Sequence, residues 1–236
     1  MITRALGPDD VPALAARFEG EAPDELLRWA GEQFGERIVL TCSWQRTTSV
    51  LVDILSRVPT TPRVVEIDTG LLFDESHATR RALIARYGIE VETIMPGMDL
   101  AEQAAAEGPE LWSRDAVRCC FLRKVEPLQR ALGGMDAWVT GIRRDQSASR
   151  ANARPIEWDP AHGVIKIQPL VAFSDADVEA HLREHDVPYN ALHDQGYPSI
   201  GCVPCTRPVL PGEDARSGRW SGSTKTECGL HTTSVR

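Results

Sequence analysis

The sequence predicts an α/β fold: a Rossmann-like parallel sheet with helices on both faces, followed by an irregular, cysteine-bearing C-terminal tail. Two observations carry this. Short apolar runs rich in β-branched residues, such as 37–42 and 63–68, alternate with segments whose apolar residues recur at helical spacing. Such alternation points to right-handed βαβ units, which lay their strands parallel. Beyond Val187 the periodicity fades, and Pro and Gly become frequent.

The elements follow in order. Residues 1 to about 35 read as a helical lead-in, clearest from Asp24 to Ala30. Residues 37–42 are a buried strand, and the turn Ser43-Trp44-Gln45-Arg46 leads into a helix over 48–57. A second strand, 63–68, ends at Thr69-Gly70, and a second helix, 75–87, is closed by Gly88. A third strand covers 89–95. Residues 98–118 are polar and helical in part, and 122–132 form a helix with an interruption at Pro127. Residues 136–141 are a fourth strand, 143–154 a basic loop and 164–170 a fifth strand. Ser174 opens a helix to about His185 with a capping-box pattern, Asp177 standing where Glu is usual.

Composition narrows the function classes. A chain of 236 residues suits one domain of generous size. We divide it at 210, with 1–210 as the binding domain and 211–236 as a flexible tail containing Gly218, Ser221, Gly222 and Ser223. The net charge of −8 argues against nucleic acid or a membrane surface as partner. No apolar run approaches the length of about 18 residues needed for a span. The first 20 residues lack the apolar core of an export signal, so a cytoplasmic location is expected. Homo-oligomer formation stays open.

The six cysteines are the strongest signal. Cys119-Cys120 and the Cys-x-x-Cys pair Cys202 and Cys205 make two tight dithiols, which in a reducing compartment point to metal or catalysis. Adjacent ligands are unusual for structural zinc, so an iron–sulfur cluster is favoured, with zinc and unliganded thiols as alternatives. Cys228 stands apart from any partner cysteine. It reads either as a nucleophile, its thiolate favoured by Lys225 or a protonated His231, or as an inert tail thiol. Only three of the 26 Lys and Arg residues are lysine, and two of them, Lys124 and Lys225, lie close to cysteines.

Three other segments have binding potential. The loop from Gly141 to Arg150 leaves the C-terminal end of a predicted strand, where open α/β sheets bind ligands. Its Arg143, Arg144 and Arg150, with Arg216 and Arg219 from the tail, can fork onto phosphate or sulfate oxygens, or can simply be a solvated basic face. The turn at 43–49 occupies the place of a phosphate loop but lacks its glycines. Asp68-Thr69-Gly70 can meet a base or ribose.

Four segments together resemble the assimilatory sulfonucleotide reductases, the adenosine phosphosulfate and phosphoadenosine phosphosulfate reductase family. They are CCFLRKVEPL (119–128), TGIRRDQS (140–147), GCVPCTRP (201–208) and ECGLH (227–231), within a likeness running from Arg37 to His231. Possession of both cysteine pairs resembles the branch that carries a 4Fe–4S cluster and reduces adenosine 5′-phosphosulfate. The resemblance implies an adenine nucleotide α-hydrolase-like sheet, with Cys119, Cys120, Cys202 and Cys205 as cluster ligands. It implies Cys228 as the nucleophile, forming an S-sulfonate that thioredoxin or a similar dithiol protein reduces. It places Lys124, Arg150, Arg216 and Arg219 around the phosphosulfate with His231 beside them, and Ser43, Thr69 and Gly141 in the nucleotide pocket. The loop Ser43-Trp44-Gln45-Arg46 departs from the glycine-containing form of many relatives.

Other readings are a reductase of the 3′-phosphorylated substrate, an ATP pyrophosphatase relative and a zinc-stabilised nucleotide-binding module. The missing loop glycines and an otherwise idle Cys228 argue against the pyrophosphatase.

Overall fold

The computed structural model describes residues 6–60, 62–220, 225, 227 and 229–231. Helices α1 (Val11–Arg17) and α2 (Pro23–Phe34) lead into β1 (Ile38–Cys42). Then come α3 (Arg46–Leu55), β2 (Arg63–Ile67), α4 (Asp74–Tyr87) and β3 (Val91–Ile94). Three short helices follow, α5 (Leu100–Glu107), α6 (Leu111–Arg114) and α7 (Ala116–Cys120). A π-helical turn, Phe121–Val125, joins α7 to α8 (Glu126–Leu132). The remaining elements are β4 (Ala137–Val139), β5 (Ile156–Asp159), β6 (Val164–Ile167) and α9 (Asp175–Glu184).

The six strands lie in the order β3-β2-β1-β4-β6-β5. All neighbouring pairs are parallel except β5 with β6. Leu40 on β1 faces Val64 on β2 and Val139 on β4, so β1 is central and buried. The chain leaves β1 to one side for β2 and β3, then returns to the other side for β4. The strand order therefore reverses between β1 and β4, and a crevice opens outside their carboxyl ends.

Period-two alternation splits each strand between two apolar layers. Ile38, Leu40, Val64 and Val139 meet the core of α2, α3 and α9. Val39, Val65 and Trp138 face Leu128, Ala131 and Leu132 of α8. Helices thus cover both faces, as the sequence predicts.

Two local features differ from expectation. Residues 155–163 carry no assignment from the sequence, and the structure places there the antiparallel edge strand β5, bracketed by Pro155 and Pro160. The helix after Cys120 was expected to break at Pro127. Instead the chain stays helical through Pro127, and the irregularity falls just before it, in the π-turn, whose end is marked by the Glu126 N–H donating to Phe121 O. The capping box opening α9 forms as expected, Ser174 Oγ accepting from the Asp177 N–H at 3.1 Å. Gly88 closes α4 with φ 64°.

Asp53 of α3 joins three elements beneath the sheet. Its carboxylate accepts from Tyr87 Oη of α4 at 2.9 Å, lies 2.7 Å from His181 Nε2 of α9, and pairs with Arg57. Burial first, and the Asp53 hydrogen bond second, push the Tyr87 phenol up to about 12. Asp53→Ala removes the acceptor from all three partners, so a loss of about 3 kcal/mol is expected in urea denaturation. A loss below about 1 kcal/mol would show that the helices hold together without it.

Candidate active site

A cleft of about 230 Å³ occupies the crevice at the strand-order reversal. Ser43 lines it from the turn after β1, Thr48 from the first turn of α3, Thr69 from the end of β2, and Thr140 and Gly141 from the end of β4. Gly141 is needed for close approach, since a Cβ there would lie 3.2 Å from Thr47 Cγ2 at the start of α3. Arg150, Arg216 and Arg219 line the cleft, as do Lys124 and His231. All eight residues assigned by sequence to the nucleotide and phosphosulfate therefore meet in one place.

The turn after β1 explains how the chain manages without a glycine loop. Trp44 adopts φ 55°, a left-handed conformation that glycine takes freely. Its ring is buried, and Nε1 donates to Glu66 Oε2 at 2.6 Å. Indole burial and this bond offset the backbone cost. Glu66 also accepts from Thr93 Oγ1 at 2.6 Å and pairs with Arg80 at 2.8 Å. Gln45 Oε1 accepts from the Ile200 N–H at 2.9 Å, and the Arg46 N–H donates to His193 Nε2 at 3.2 Å. An imidazole, rather than a ligand anion, thus takes the first amide of α3.

The four paired cysteines line a second, adjoining cavity with Arg123, Lys124, Arg219 and Trp220. Cys119 and Cys120 reach it from the end of α7, at the π-turn. Such turns shift the side-chain phase, and they recur at functional sites. Cys202 and Cys205 arrive on a loop pinned to the end of β2. Leu72 bridges Cys202, and the Val203 N–H donates to Leu71 O at 2.8 Å. Thr69 Oγ1 lies 3.3 Å from Cys202 Sγ, while Thr69 O accepts from the buried Arg123 at 2.8 Å. Arg219 Nη1 donates to Ser199 Oγ at 3.2 Å and Ile200 O at 3.1 Å. Gly201 has no side chain because a Cβ would overlap this guanidinium.

Burial, then the neighbouring Cys120, Cys202 and Cys205, push the Cys119 thiol up to about 11, while Arg123 pulls it down. Burial also raises Cys205, again through Cys202 and Cys120, with Lys124 and Arg219 opposing. The four sulfurs thus sense one another, and cations border them. Among the described residues no three His, Cys, Asp or Glu side chains are gathered tightly enough to hold one metal ion. The donor chemistry, four thiols around one cavity, fits a cluster of several irons better than a single ion. The Nε atoms of Arg123 and Arg219, buried and unpartnered at this cavity, fit an anionic group there.

Lys124 and Arg219 line both cavities. An unbroken α-helix would put Lys124, four residues on, on the face of Cys120. The π-turn changes that spacing, and Lys124 reaches the border between the cavities all the same.

Residues 211–220 return to the body. Thr206 bridges Arg219, and the Trp220 N–H donates to Cys205 O at 3.0 Å. Lys225 Nζ donates to Ala116 O at 3.1 Å. Ser221, Gly222, Ser223 and Cys228 lie outside the described residues. The sequence neighbours of Cys228 are described: Glu227 bonds Arg150 and Arg216, and His231 stacks on Trp138 with centroids 5.1 Å apart. Burial, followed by Lys166, Arg150 and Arg216, holds His231 well below its ordinary pKa. Burial thus disfavours the protonated His231 offered above as one of two supports for the Cys228 thiolate.

Sequence reasoning missed His193, Glu227 and Trp138. His193 lies in an aperiodic segment with no local partner, whereas Glu227 was quoted only as part of a motif. Trp138 read as a strand residue, and nothing local marked its ring as a floor for the tail.

The profile of the phosphoadenosine phosphosulfate reductase domain matches residues 37–208. This chain belongs to the phosphoadenosine phosphosulfate reductase family. It is 46% identical to an adenosine 5′-phosphosulfate reductase of Streptomyces coelicolor over 94% of this chain and 95% of that one. It is 44% identical to adenosine 5′-phosphosulfate reductase 1 of Bacillus subtilis, covering 87% of this chain and 89% of that one. A crystal structure of phosphoadenylyl-sulfate (PAPS) reductase from Candida auris, a phosphate complex, superposes with a TM-score of 0.77 at 32% identity. That match covers 86% of this chain and 99% of the other. An FMN adenylyltransferase of Candida glabrata shares the fold, with a TM-score of 0.58 at 18% identity over 87% of this chain and 68% of that one. No helix among the described residues is long and apolar enough to cross a membrane.

Burial, with nearby Arg46, lowers the His193 pKa to about 3. The unfolded chain takes up this proton below about pH 6.5 and the folded one does not. Folding stability should therefore fall by about 1.4 kcal/mol per pH unit from this group between pH 6.5 and pH 3, and be unaffected by it above 6.5. Urea titrations across that range should show a shallower acid slope for His193→Gln. An unchanged slope would place the acid sensitivity elsewhere.

Proposed function

We propose that this protein reduces adenosine 5′-phosphosulfate to sulfite and AMP in sulfate assimilation, using Cys228 as nucleophile and thioredoxin or a similar dithiol protein as reductant. The relatives' shared activity over nearly the whole chain supports the reaction. The observation that carries the site is the meeting of Arg150, Arg216, Lys124 and Arg219 with Glu227, Leu230 and His231, which stand before and after Cys228 in the sequence, in one cleft.

In this reading residues 1–210 form the body of the sulfonucleotide site, and 211–236 add Arg216, Arg219 and His231 to it and carry the nucleophile. The Cys228 thiolate attacks the sulfuryl sulfur, and the sulfur–oxygen bond to phosphate breaks, AMP leaving with the electron pair. Arg150 and Arg216 fork onto the phosphosulfate oxygens, and Lys124 and Arg219 balance the charge that builds on the departing phosphate. Ser43, Thr69 and Gly141 line the nucleotide end. A thiolate of the dithiol donor then attacks Cys228 Sγ and expels sulfite. The donor's second thiol resolves the mixed disulfide, so both electrons come from the donor.

Cys119, Cys120, Cys202 and Cys205 would hold a 4Fe–4S cluster. When bound, it would supply a fixed anionic charge across Lys124 and Arg219 from the substrate. The thiols suffice for the redox balance.

Sulfite release should be measured with each sulfonucleotide and thioredoxin present. Adenosine 5′-phosphosulfate should be the preferred substrate, and Cys228→Ser should retain AMP binding while losing more than about 99% of turnover. Turnover in that variant above a few per cent would place the nucleophile elsewhere. Preference for the 3′-phosphorylated substrate would overturn the substrate assignment.

A further inference from the structure

The cations at the tail end of the cleft already hold an anion, and it belongs to the chain itself. Arg150 donates to the Glu227 carboxylate from Nε at 3.2 Å and Nη2 at 2.9 Å, and Arg216 Nη2 donates at 3.0 Å. Ser149 Oγ adds a longer contact at 3.4 Å. The three charged side chains are largely withdrawn from water, at 13%, 16% and 15% exposure for Arg150, Arg216 and Glu227. Buried Lys166 also senses both Arg150 and Glu227. Two guanidinium groups and one carboxylate thus leave a single net positive charge.

A phosphate or sulfuryl group presents oxygens to arginine forks much as a carboxylate does. The same N–H groups cannot serve both at once. We infer that Glu227 is a built-in occupant of the substrate's anion site, and that the sulfonucleotide enters by exchanging its phosphosulfate for this carboxylate on Arg150 and Arg216. The inference rests on the cleft binding the sulfonucleotide, as proposed above. Glu227 precedes Cys228 in the chain, and neighbouring Cα atoms are fixed about 3.8 Å apart. The exchange therefore takes place one residue from the nucleophile.

The test is calorimetric AMP binding to the full chain, in wild type, Glu227→Gln, Arg150→Ala and the combined variant, each with its melting temperature checked. Arg216→Ala serves as a second background should Arg150→Ala not fold. Removing the competitor should tighten AMP binding about 3- to 10-fold in wild type, and less than about twofold where an arginine partner is already gone. The KM for the sulfonucleotide should fall alongside. No tightening by Glu227→Gln, or equal tightening in both backgrounds, overturns the inference; equal tightening would reflect general charge removal. If the arginine variants bind AMP as tightly as wild type, the reading of the cleft fails first, and the inference falls with it.

Discussion

Burying charge beside charge is the constraint on which this molecule turns. Burial and mutual proximity hold the Cys119 thiol near 11, so in the bare protein it is protonated. Loading a metal centre means ionising such thiols, which requires counter-charge within the same low-dielectric volume. Arg123, Lys124 and Arg219 stand at that volume, and Lys124 and Arg219 also line the larger cleft. The wall between the cavities is therefore an electrostatic element shared by both. Gly201 and the π-turn make sense as consequences: one leaves space for Arg219, the other brings two consecutive cysteines and a lysine to one border.

The same logic extends to the tail. Trp138 sits in the second apolar layer of the sheet, its Nε1 donating to Thr41 Oγ1 at 2.8 Å, and its ring offers a flat floor to His231. A neutral His231 can stack there where a charged one would suffer beside Lys166 and Arg150. Glu227 satisfies the arginines on the opposite flank of Cys228. Among the described tail residues, His231 and Leu230 make apolar contacts, Lys225 bonds Ala116 O, and Glu227 makes the ionic contact, which is the one an anionic ligand would compete with.

The βαβ order, and the helices closed by Gly88 and opened by Ser174, were legible because they rest on local periodicity and capping chemistry. The residues around the cleft were legible through their motifs, and Lys124 stood out because lysine is rare here. What escaped was non-local. Glu66 pairs with Trp44 across 22 residues, and Asp53 meets His181 across 128. Neither spacing leaves a mark in a sequence window. The edge strand β5 fell in the unassigned stretch 155–163, too short to show a periodicity, and the π-turn has no compositional signal. The protonation state of His231 escaped too: charge at that position depends on burial, which the tail's composition concealed.

The shared wall is tested most directly by the visible spectrum of anaerobically purified protein during titration with AMP. The account predicts an iron–sulfur absorption band whose shape changes with AMP, saturating at the concentration where calorimetry shows the cleft full, and a much smaller change in Lys124→Ala. A protein that fills its cleft with AMP while its spectrum stays unchanged would contradict the account, because the two cavities would then be electrostatically independent.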